Sequence, residues 1–138
     1  MKLEKPNWVA FNVRESKDGS LSTLELPHDV SRIYFIKSVP NSAQRGFHAH
    51  RELRQIFFAP SGEFELELST PFSKEIFLVR SREGKALIVP PGYWRVLSKF
   101  SKDSICMVLA SAKYDPNDYI RDYLEYMAWF RDNVSDES

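Results

Sequence analysis

The 138-residue sequence has a single cysteine, Cys106, so the chain cannot form an internal disulfide. It has no apolar run long enough to cross a bilayer, and residues 1–13 lack the apolar segment of a secretory signal. An excess of one charge sign is also missing, because 19 basic residues balance 19 acidic ones. These absences argue against a secreted disulfide scaffold, a membrane protein and a general nucleic-acid-binding surface. We therefore expect a cytoplasmic protein with neither nucleic acid nor membrane as a partner.

Histidine is scarce too, yet two of the three histidines stand one residue apart in the segment RGFHAH, residues 45–50. Residues i and i+2 of an extended strand point to the same face of a sheet. His48 and His50 are therefore predicted to project into one space. Two imidazoles in one space suit either a metal site or a pair of proton carriers. The residues around them must decide between these two readings.

Short runs of β-branched and aromatic residues, separated by turn signals, indicate antiparallel β-structure. Residues 32–36 form one such run, and residues 63–68 alternate glutamate with apolar side chains. The sequences Asp-Gly at 18–19, Pro-Ser-Gly at 60–62 and Pro-Pro-Gly at 90–92 mark turns. The pattern predicts a sandwich or barrel of about eight to ten short strands.

The pattern changes near the C-terminus. Asp115 supplies an N-cap and Pro116 suits the first helical position. Apolar residues then recur at helical spacing, namely Ile120, Tyr123, Leu124, Met127 and Phe130. We predict one helix over residues 115–133 that packs on the sheet.

The spacing beyond the histidine pair resembles the first motif of the cupins, which are small double-sheet jelly-roll barrels. In that motif HxH is followed, after three or four residues, by Glu and then, after six more, by Gly. Here the two positions hold Gln55 and Gly62. The second cupin motif is a Gly, then Pro-x-Gly, then His and Asn. Here it appears as Gly84, Pro-Pro-Gly at 90–92 and Arg95, with Lys99 at the Asn position.

The resemblance implies an all-β fold, a cupin-type double-sheet jelly-roll barrel with one C-terminal helix. It implies a single domain over residues 1–138, with N-terminal strands in 1–27, the barrel in 28–112 and the helix in 115–133. The apolar strand predicted at residues 8–13 is separated from the barrel by a polar turn. Such a strand gains most by pairing with a sheet edge, so we expect it to be exchanged between the subunits of a homodimer.

Two of the four usual cupin metal ligands are replaced, since Gln55 stands for Glu and Arg95 stands for His. A divalent metal in an open site requires about three or four N, O or S donors. Arginine keeps its charge in proteins and would repel a metal ion. We therefore expect no bound metal, and we interpret His48 and His50 as acid/base groups.

Longer strings resemble the sugar 3,4-ketoisomerases, which are metal-free cupins acting on dTDP-4-keto-6-deoxyglucose. These strings are RGFHAH at 45–50, VLAS at 108–111 and YDxxDYIRxY at 114–123. The resemblance implies an isomerase that needs no cofactor and moves the keto group from C4 to C3 through an enediol. It implies His48 and His50 as the catalytic proton carriers and a dTDP-linked keto-deoxyhexose as the partner. It also implies a homodimer, in deoxysugar biosynthesis for O-antigen or S-layer glycans.

Four residues are candidates for binding the substrate. Arg45 is the nearest cation for the phosphates, although a surface ion pair is an equal reading. Tyr34 has two possible roles: its hydroxyl contacts the substrate in a pocket, or its ring packs in the core. Arg95 occupies the position of an inward-pointing cupin ligand, where a fixed cation would stabilise an enediolate. Trp94 precedes it, where the ketoisomerases commonly have Trp-His.

Two other functions stay open from the sequence. A metal-dependent cupin enzyme would be distinguished by metal bound after purification. A non-catalytic cupin that binds a sugar nucleotide would be distinguished by binding without turnover. The nucleotide, the configuration at C4 of the product, and the assignment of acid and base between the two histidines also stay open.

Overall fold

The computed structural model describes residues 1–135, so residues 136–138 of the predicted domain lie outside the described residues. Two five-stranded antiparallel sheets face each other and enclose the core. In spatial order, the first sheet contains β1 (Asn7–Ala10), β9 (Lys85–Val89), β6 (Gln55–Ser61), β11 (Ile105–Ala110) and β4 (Arg32–Lys37). The second contains β12 (Tyr119–Ile120), β5 (Arg45–His50), β10 (Trp94–Ser98), β7 (Glu63–Ser69) and β8 (Lys74–Arg80). The predicted all-β jelly roll with one C-terminal helix is confirmed.

Alternation along the strands builds the barrel interior. In β7, Phe64, Leu66 and Leu68 are buried, while the three intervening glutamates face outward, as the sequence pattern predicts. Those glutamates pair with basic side chains of neighbouring segments, which contributes little to stability at a surface. The apolar core between the sheets includes Phe57, Phe64, Leu66, Leu87, Leu97, Phe100 and Val108.

The N-terminal strand differs from its prediction. Residues 8–13 were expected to form one isolated strand, but β1 pairs with β9 of the same chain, from Asn7 opposite Ile88 to Ala10 opposite Lys85. The prediction of isolation is therefore wrong for β1, because β9 offers an edge that β1 can join. The next two strands, β2 (Asn12–Ser16) and β3 (Gly19–Thr23), form a separate hairpin in which every residue is exposed.

The C-terminal helix begins later than predicted. Asp115 and Pro116 start a short 3-10 turn over Pro116–Asp118, after which β12 extends the second sheet. The helix α1 spans Tyr123–Asn133, and the Asp122 side chain caps it by accepting from the amides of residues 124 and 125. Ile120 is therefore a buried residue of a strand and not of the helix, because β12 pairs with the edge of β5 before α1 begins.

Strand β10 was not predicted, although it lies between β5 and β7 in the second sheet. Its arginine interrupts the apolar pattern that would mark a buried strand. Opposite it, β5 contains a bulge where the register shifts between Arg95 and Val96. Gly46 has φ 99°, and a Cβ on it would lie 2.8 Å from the backbone oxygen of Arg95. Glycine at this position therefore permits the close approach that aligns His48 with Arg95.

Candidate active site

His48 and His50 lie side by side on β5, with ring centroids 5.0 Å apart. Their cross-strand partners are Arg95 on β10 and Tyr119 on β12. Cross-strand partners share a face of the sheet, so all four side chains project from the same face. His50 is fully buried and His48 partly so. The prediction that both histidines share one space is confirmed.

A carboxylate fixes the orientation of His50. Nδ1 of His50 lies 2.9 Å from Oδ2 of Asp118, and the other carboxylate oxygen accepts from the backbone amide of Glu52 at 2.7 Å. Because the ionised carboxylate only accepts, Nδ1 of the imidazole carries the proton. Nε2 is buried and has no hydrogen-bond partner within residues 1–135, so its lone pair is free.

His48 has the same tautomer for a different reason. Its Nδ1 lies 3.1 Å from the backbone oxygen of Gly46, and a carbonyl can only accept. The proton therefore sits on Nδ1, which leaves Nε2 as the basic nitrogen. The bulge at Gly46 thus supplies the acceptor that holds the second imidazole.

Both imidazoles are neutral at physiological pH. Burial lowers the pKa of His48 to about 3, and the positive charge of Arg95 adds to this effect. Burial also lowers the pKa of His50 to about 4, although the hydrogen bond to Asp118 opposes that shift. Burial alone would raise the pKa of Asp118, but the hydrogen bonds from His50 and from the Glu52 amide lower it. The carboxylate is therefore charged and the rings are not.

Arg95 is buried inside the barrel, so the prediction that it points inward is confirmed. Its Nη1 donates to Oε1 of Gln55, and its Nη2 donates to the backbone oxygen of Tyr93 at 3.2 Å. Gln55 in turn donates through Nε2 to the hydroxyl of Tyr34 at 3.0 Å. Burial lowers the pKa of Arg95 to about 10, which still leaves it charged near neutral pH. Nε of Arg95 has no partner in the described part of the chain.

The other predicted substrate-binding residues divide between two faces. Tyr34 lies inside the barrel, where burial raises its pKa to about 12. Arg45 is exposed and stands opposite Leu97, a core residue, on the inward side of β5. Trp94 lies on the outer face and packs under α1 against Tyr126. Trp94 therefore does not share the face of His48 and His50, because adjacent residues of a strand point to opposite faces.

The sequence interpretation missed three residues that belong to the site. Asp118 binds His50, and the Tyr119 ring packs 4.4 Å from His50 and 5.0 Å from His48. The guanidinium of Arg121 lies 4.3 Å from the Tyr119 ring centroid. All three stand in the string YDxxDYIRxY, which marked the family resemblance. The prediction that this string was helical hid them, because β12 is what brings them to the histidines.

The donor set does not fit a divalent metal. No group of three or more histidine, cysteine, aspartate or glutamate side chains is arranged for a metal anywhere in residues 1–135. The position of the usual third imidazole holds the Arg95 cation, which would repel a metal ion.

A cleft of about 700 Å³ lies elsewhere, between the N-terminal segment and the end of α1, and neither imidazole lines it. Among the described helices, none has the length and apolarity of a membrane span.

Comparisons with known proteins identify the family of the chain. The family described as FdtA, WxcM-like, C-terminal, matches residues 4–131. Over 110 residues the chain is 37% identical to the TDP-4-oxo-6-deoxy-alpha-D-glucose-3,4-oxoisomerase of Aneurinibacillus thermoaerophilus, covering 76% of this chain and 78% of that protein.

Solved structures are similar over most of the chain. A mutant of the 3,4-ketoisomerase QdtA from Thermoanaerobacterium thermosaccharolyticum, in complex with TDP-4-keto-6-deoxyglucose, superposes with a TM-score of 0.88 at 28% identity, covering 95% of this chain and 97% of that chain. A 3,4-ketoisomerase from Helicobacter canadensis gives a TM-score of 0.86 at 31% identity, covering 91% and 97%. The Mycobacterium tuberculosis rmlC epimerase, at 16% identity and a TM-score of 0.70 over 83% of this chain and 66% of that chain, shares the fold.

We predict that both site imidazoles stay neutral, with the proton on Nδ1, from pH 8 down to about pH 5.5. Their lowered pKa values, about 3 and about 4, put protonation below this range. Long-range proton–nitrogen NMR spectra of the labelled protein report both protonation state and tautomer. A His28→Asn variant removes the signals of the third histidine and makes the assignment direct. Protonation of either ring above pH 6 would contradict the prediction.

Proposed function

The chain belongs to the FdtA family of WxcM-like C-terminal domains, and we propose that it is a sugar-nucleotide 3,4-ketoisomerase. The reaction moves the keto group of dTDP-4-keto-6-deoxyglucose from C4 to C3. The observation that carries the proposal is the arrangement of two neutral imidazoles beside a buried guanidinium. Free nitrogen lone pairs beside a fixed cation suit proton transfer through an anionic intermediate.

We assign to His50 the removal of the proton from carbon C3. Nε2 of His50 takes the proton from C3, which is acidic because it lies next to the C4 ketone. The imidazolium that forms is stabilised by the charged Asp118, whose carboxylate already holds Nδ1. His48 has no carboxylate partner among the described residues, since its Nδ1 bonds to a backbone carbonyl. A negative charge on the sugar raises the pKa of the nearby imidazole and so assists the transfer.

We assign to Arg95 the stabilisation of the negative charge that develops on O4. Its unpartnered Nε–H is a buried, charged donor, and its other nitrogens are held by Gln55 and the backbone of residue 93. Because these partners are neutral, the positive charge is not cancelled inside the protein. Arg95 thereby supplies the charge stabilisation that a metal gives in other cupins, without coordination.

The second half of the reaction returns a proton to C4. The His50 imidazolium delivers a proton to C4. At the same time the hydroxyl group on O3 loses its proton, and O4 gains a proton. We assign to His48 the transfer of this proton from one oxygen to the other, since its ring lies beside that of His50. C3 and O3 each lose a proton, and C4 and O4 each gain one. Electrons stay on the sugar, so no redox cofactor takes part.

We also propose a homodimer. The β2–β3 hairpin stands apart from both sheets with all its residues exposed, including Val13 and Leu21. A lone two-stranded hairpin is marginally stable in water. Strand β4 is the edge of the first sheet, and its Ile33 and Phe35 are 61% and 55% exposed. Pairing the hairpin of one copy with the β4 edge of another would protect both.

We expect purified protein to convert dTDP-4-keto-6-deoxyglucose to the 3-keto isomer, and in deuterated water deuterium enters at C4 in those turnovers in which the His50 imidazolium exchanges its proton with solvent. NMR of the product measures both. His50→Gln should lower turnover by about 10²-fold or more, because general acid–base catalysis typically contributes 10²–10⁴. His28→Gln is the matched control and should keep normal turnover. Prior treatment with EDTA should leave the rate unchanged.

Three outcomes would contradict parts of this proposal. Near-normal turnover by both His48→Gln and His50→Gln would remove the acid/base assignment. Activity lost to EDTA and restored by a divalent ion would favour a metal-dependent enzyme. Binding of the sugar nucleotide by wild-type protein without conversion would favour a non-catalytic binding protein.

Arg95→Met is expected to lower kcat by about 10²–10³, the usual cost of removing one oxyanion donor. The change removes the charge while keeping the length of the side chain. Arg54→Met is the control, since Arg54 forms a surface ion pair with Glu4. Urea unfolding of both variants separates a loss of chemistry from a loss of folding. A folded Arg95→Met protein with kcat within threefold of wild type would refute the role.

The dimer is expected to appear as a mass of about twice that of the 16.1 kDa chain in light scattering at micromolar concentration. Phe35→Asp places a charge on the proposed interface and should shift the mass toward one chain. Phe72→Asp is the control, because Phe72 is 82% exposed and lies outside β4 and the hairpin. A wild-type monomer would rule out the proposal.

A further inference from the structure

The cleft between the N-terminal segment, residues 1–6, and the end of α1 has no part in the proposed reaction. This N-terminal cleft has a volume of about 700 Å³, which falls within the roughly 300–1,000 Å³ of pockets that bind small molecules. Four buried residues of the protein core contribute to its lining, namely Leu68, Phe77, Tyr93 and Phe130. The N-terminal cleft is therefore a candidate for a second binding site, and much of its surface is apolar.

Hydrogen bonds hold the walls of the N-terminal cleft together. The Tyr93 hydroxyl donates to the backbone oxygen of Glu4 at 2.6 Å, which fixes the N-terminal segment against the barrel. The amide of Ser135 donates to the backbone oxygen of Met1 at 2.9 Å, which fixes the same segment to the residues after α1. The walls are thus already in place, so a ligand would bind there with little further ordering of the chain.

Lysines supply the charge at the N-terminal cleft. Lys2 and Lys5 of the N-terminal segment line it, and so does Lys74 at the start of β8. Glu75 is the one carboxylate among the described residues of its lining. Lys74 forms an ion pair with Glu67 at 3.3 Å. Within residues 1–135, neither Lys2 nor Lys5 forms an ion pair with a carboxylate. The balance of charge therefore favours an anionic ligand over a cationic one.

Apolar walls beside two exposed lysines define the chemistry of the ligand. A wholly apolar molecule would make no use of the lysines, and an inorganic anion would bury no apolar surface. An organic anion with an apolar body gains from both, because its body leaves water and its acidic group meets a cation. Lysine is a point charge without the planar fork of arginine, so the acidic group can be a carboxylate or a phosphate.

We infer that the N-terminal cleft binds an organic anion with an apolar body. The body packs against Phe77 and Phe130. The acidic group lies beside Lys2 and Lys5. Binding here does not depend on the proposed function, because neither histidine lines the cleft.

Fluorescence titration with anilinonaphthalene sulfonate, an anion with an aromatic body, measures binding to the folded full-length chain. We expect one saturable site per chain. Dodecanoate below its micelle concentration and dodecyl phosphate should both displace the dye, and the stronger of the two identifies the preferred acidic group. Inorganic phosphate at the same concentration should leave the dye bound, since it has no apolar body to bury.

Charge-removing variants locate the dye in the N-terminal cleft. Lys2→Gln combined with Lys5→Gln should weaken dye binding about fivefold or more, because two partly exposed ion pairs are lost. Added salt should weaken binding to wild type more than to this double variant. Lys99→Gln combined with Lys102→Gln is the matched control, since these lysines lie outside the cleft, and it should bind within about twofold of wild type.

A second pair of variants tests the apolar wall. Val134 lines the cleft and follows the last residue of α1. Val134→Asp should weaken dye binding about tenfold or more, because it places a like charge beside the anion and removes apolar surface. Val134→Ile keeps the wall apolar and should retain binding. Urea unfolding of each variant separates a loss of binding from a loss of folding.

The acidic residues Asp136 and Glu137 follow Ser135 in the sequence and are the alternative partners of the lysines. Asp136→Asn combined with Glu137→Gln should bind the dye within about twofold of wild type. A gain of about fivefold or more would assign the lysines to the chain's own C-terminus and overturn the inference. It is also overturned if wild type binds no dye saturably, if inorganic phosphate displaces the dye, or if the folded Lys2→Gln, Lys5→Gln variant binds as wild type does.

Discussion

The positive charge of Arg95 lies inside the barrel, and the polar arrangement of the site depends on it. Removing a guanidinium from water is costly unless its donors find acceptors. Gln55 and the Tyr93 carbonyl supply them, and Tyr34 holds Gln55 in turn. None of these partners is negatively charged. The charge therefore acts on its surroundings, where it helps keep both imidazoles neutral and would stabilise an anion beside it.

The two histidines of β5 differ in their hydrogen-bond acceptors. Each donates through Nδ1, but His50 reaches a carboxylate and His48 reaches a carbonyl. Protonation of His50 creates an ion pair with Asp118 inside the protein, whereas protonation of His48 creates an isolated charge near Arg95. Under the proposed function, the surroundings of His50 suit a proton taken from carbon and those of His48 suit a proton passed between oxygens.

Local backbone geometry joins residues that are far apart in the sequence. The bulge at Gly46 aligns His48 with Arg95, and the two-residue strand β12 sets Tyr119 opposite His50. The turn before β12 then presents Asp118 to His50 and to the Glu52 amide. A helix beginning at residue 115 would have carried these side chains away from β5. The short strand is thus as important to the site as the longer strands of the barrel.

The sequence by itself determined three features of the protein, because strand periodicity and motif spacing are local properties. These are the alternation of residues 63–68, the shared face of His48 and His50, and the inward direction of Arg95. The start of α1, the outer position of Trp94 and the pairing of β1 with β9 were not determined in this way. Local signals at Asp115 and Pro116 suit a 3-10 turn as well as an α-helix, and only the free edge of β5 selects the former. The partners of His50 and Arg95 were also decided by the tertiary structure. Hydrogen bonds between residues 40 or 68 positions apart depend on which strands become neighbours, and no local pattern encodes that.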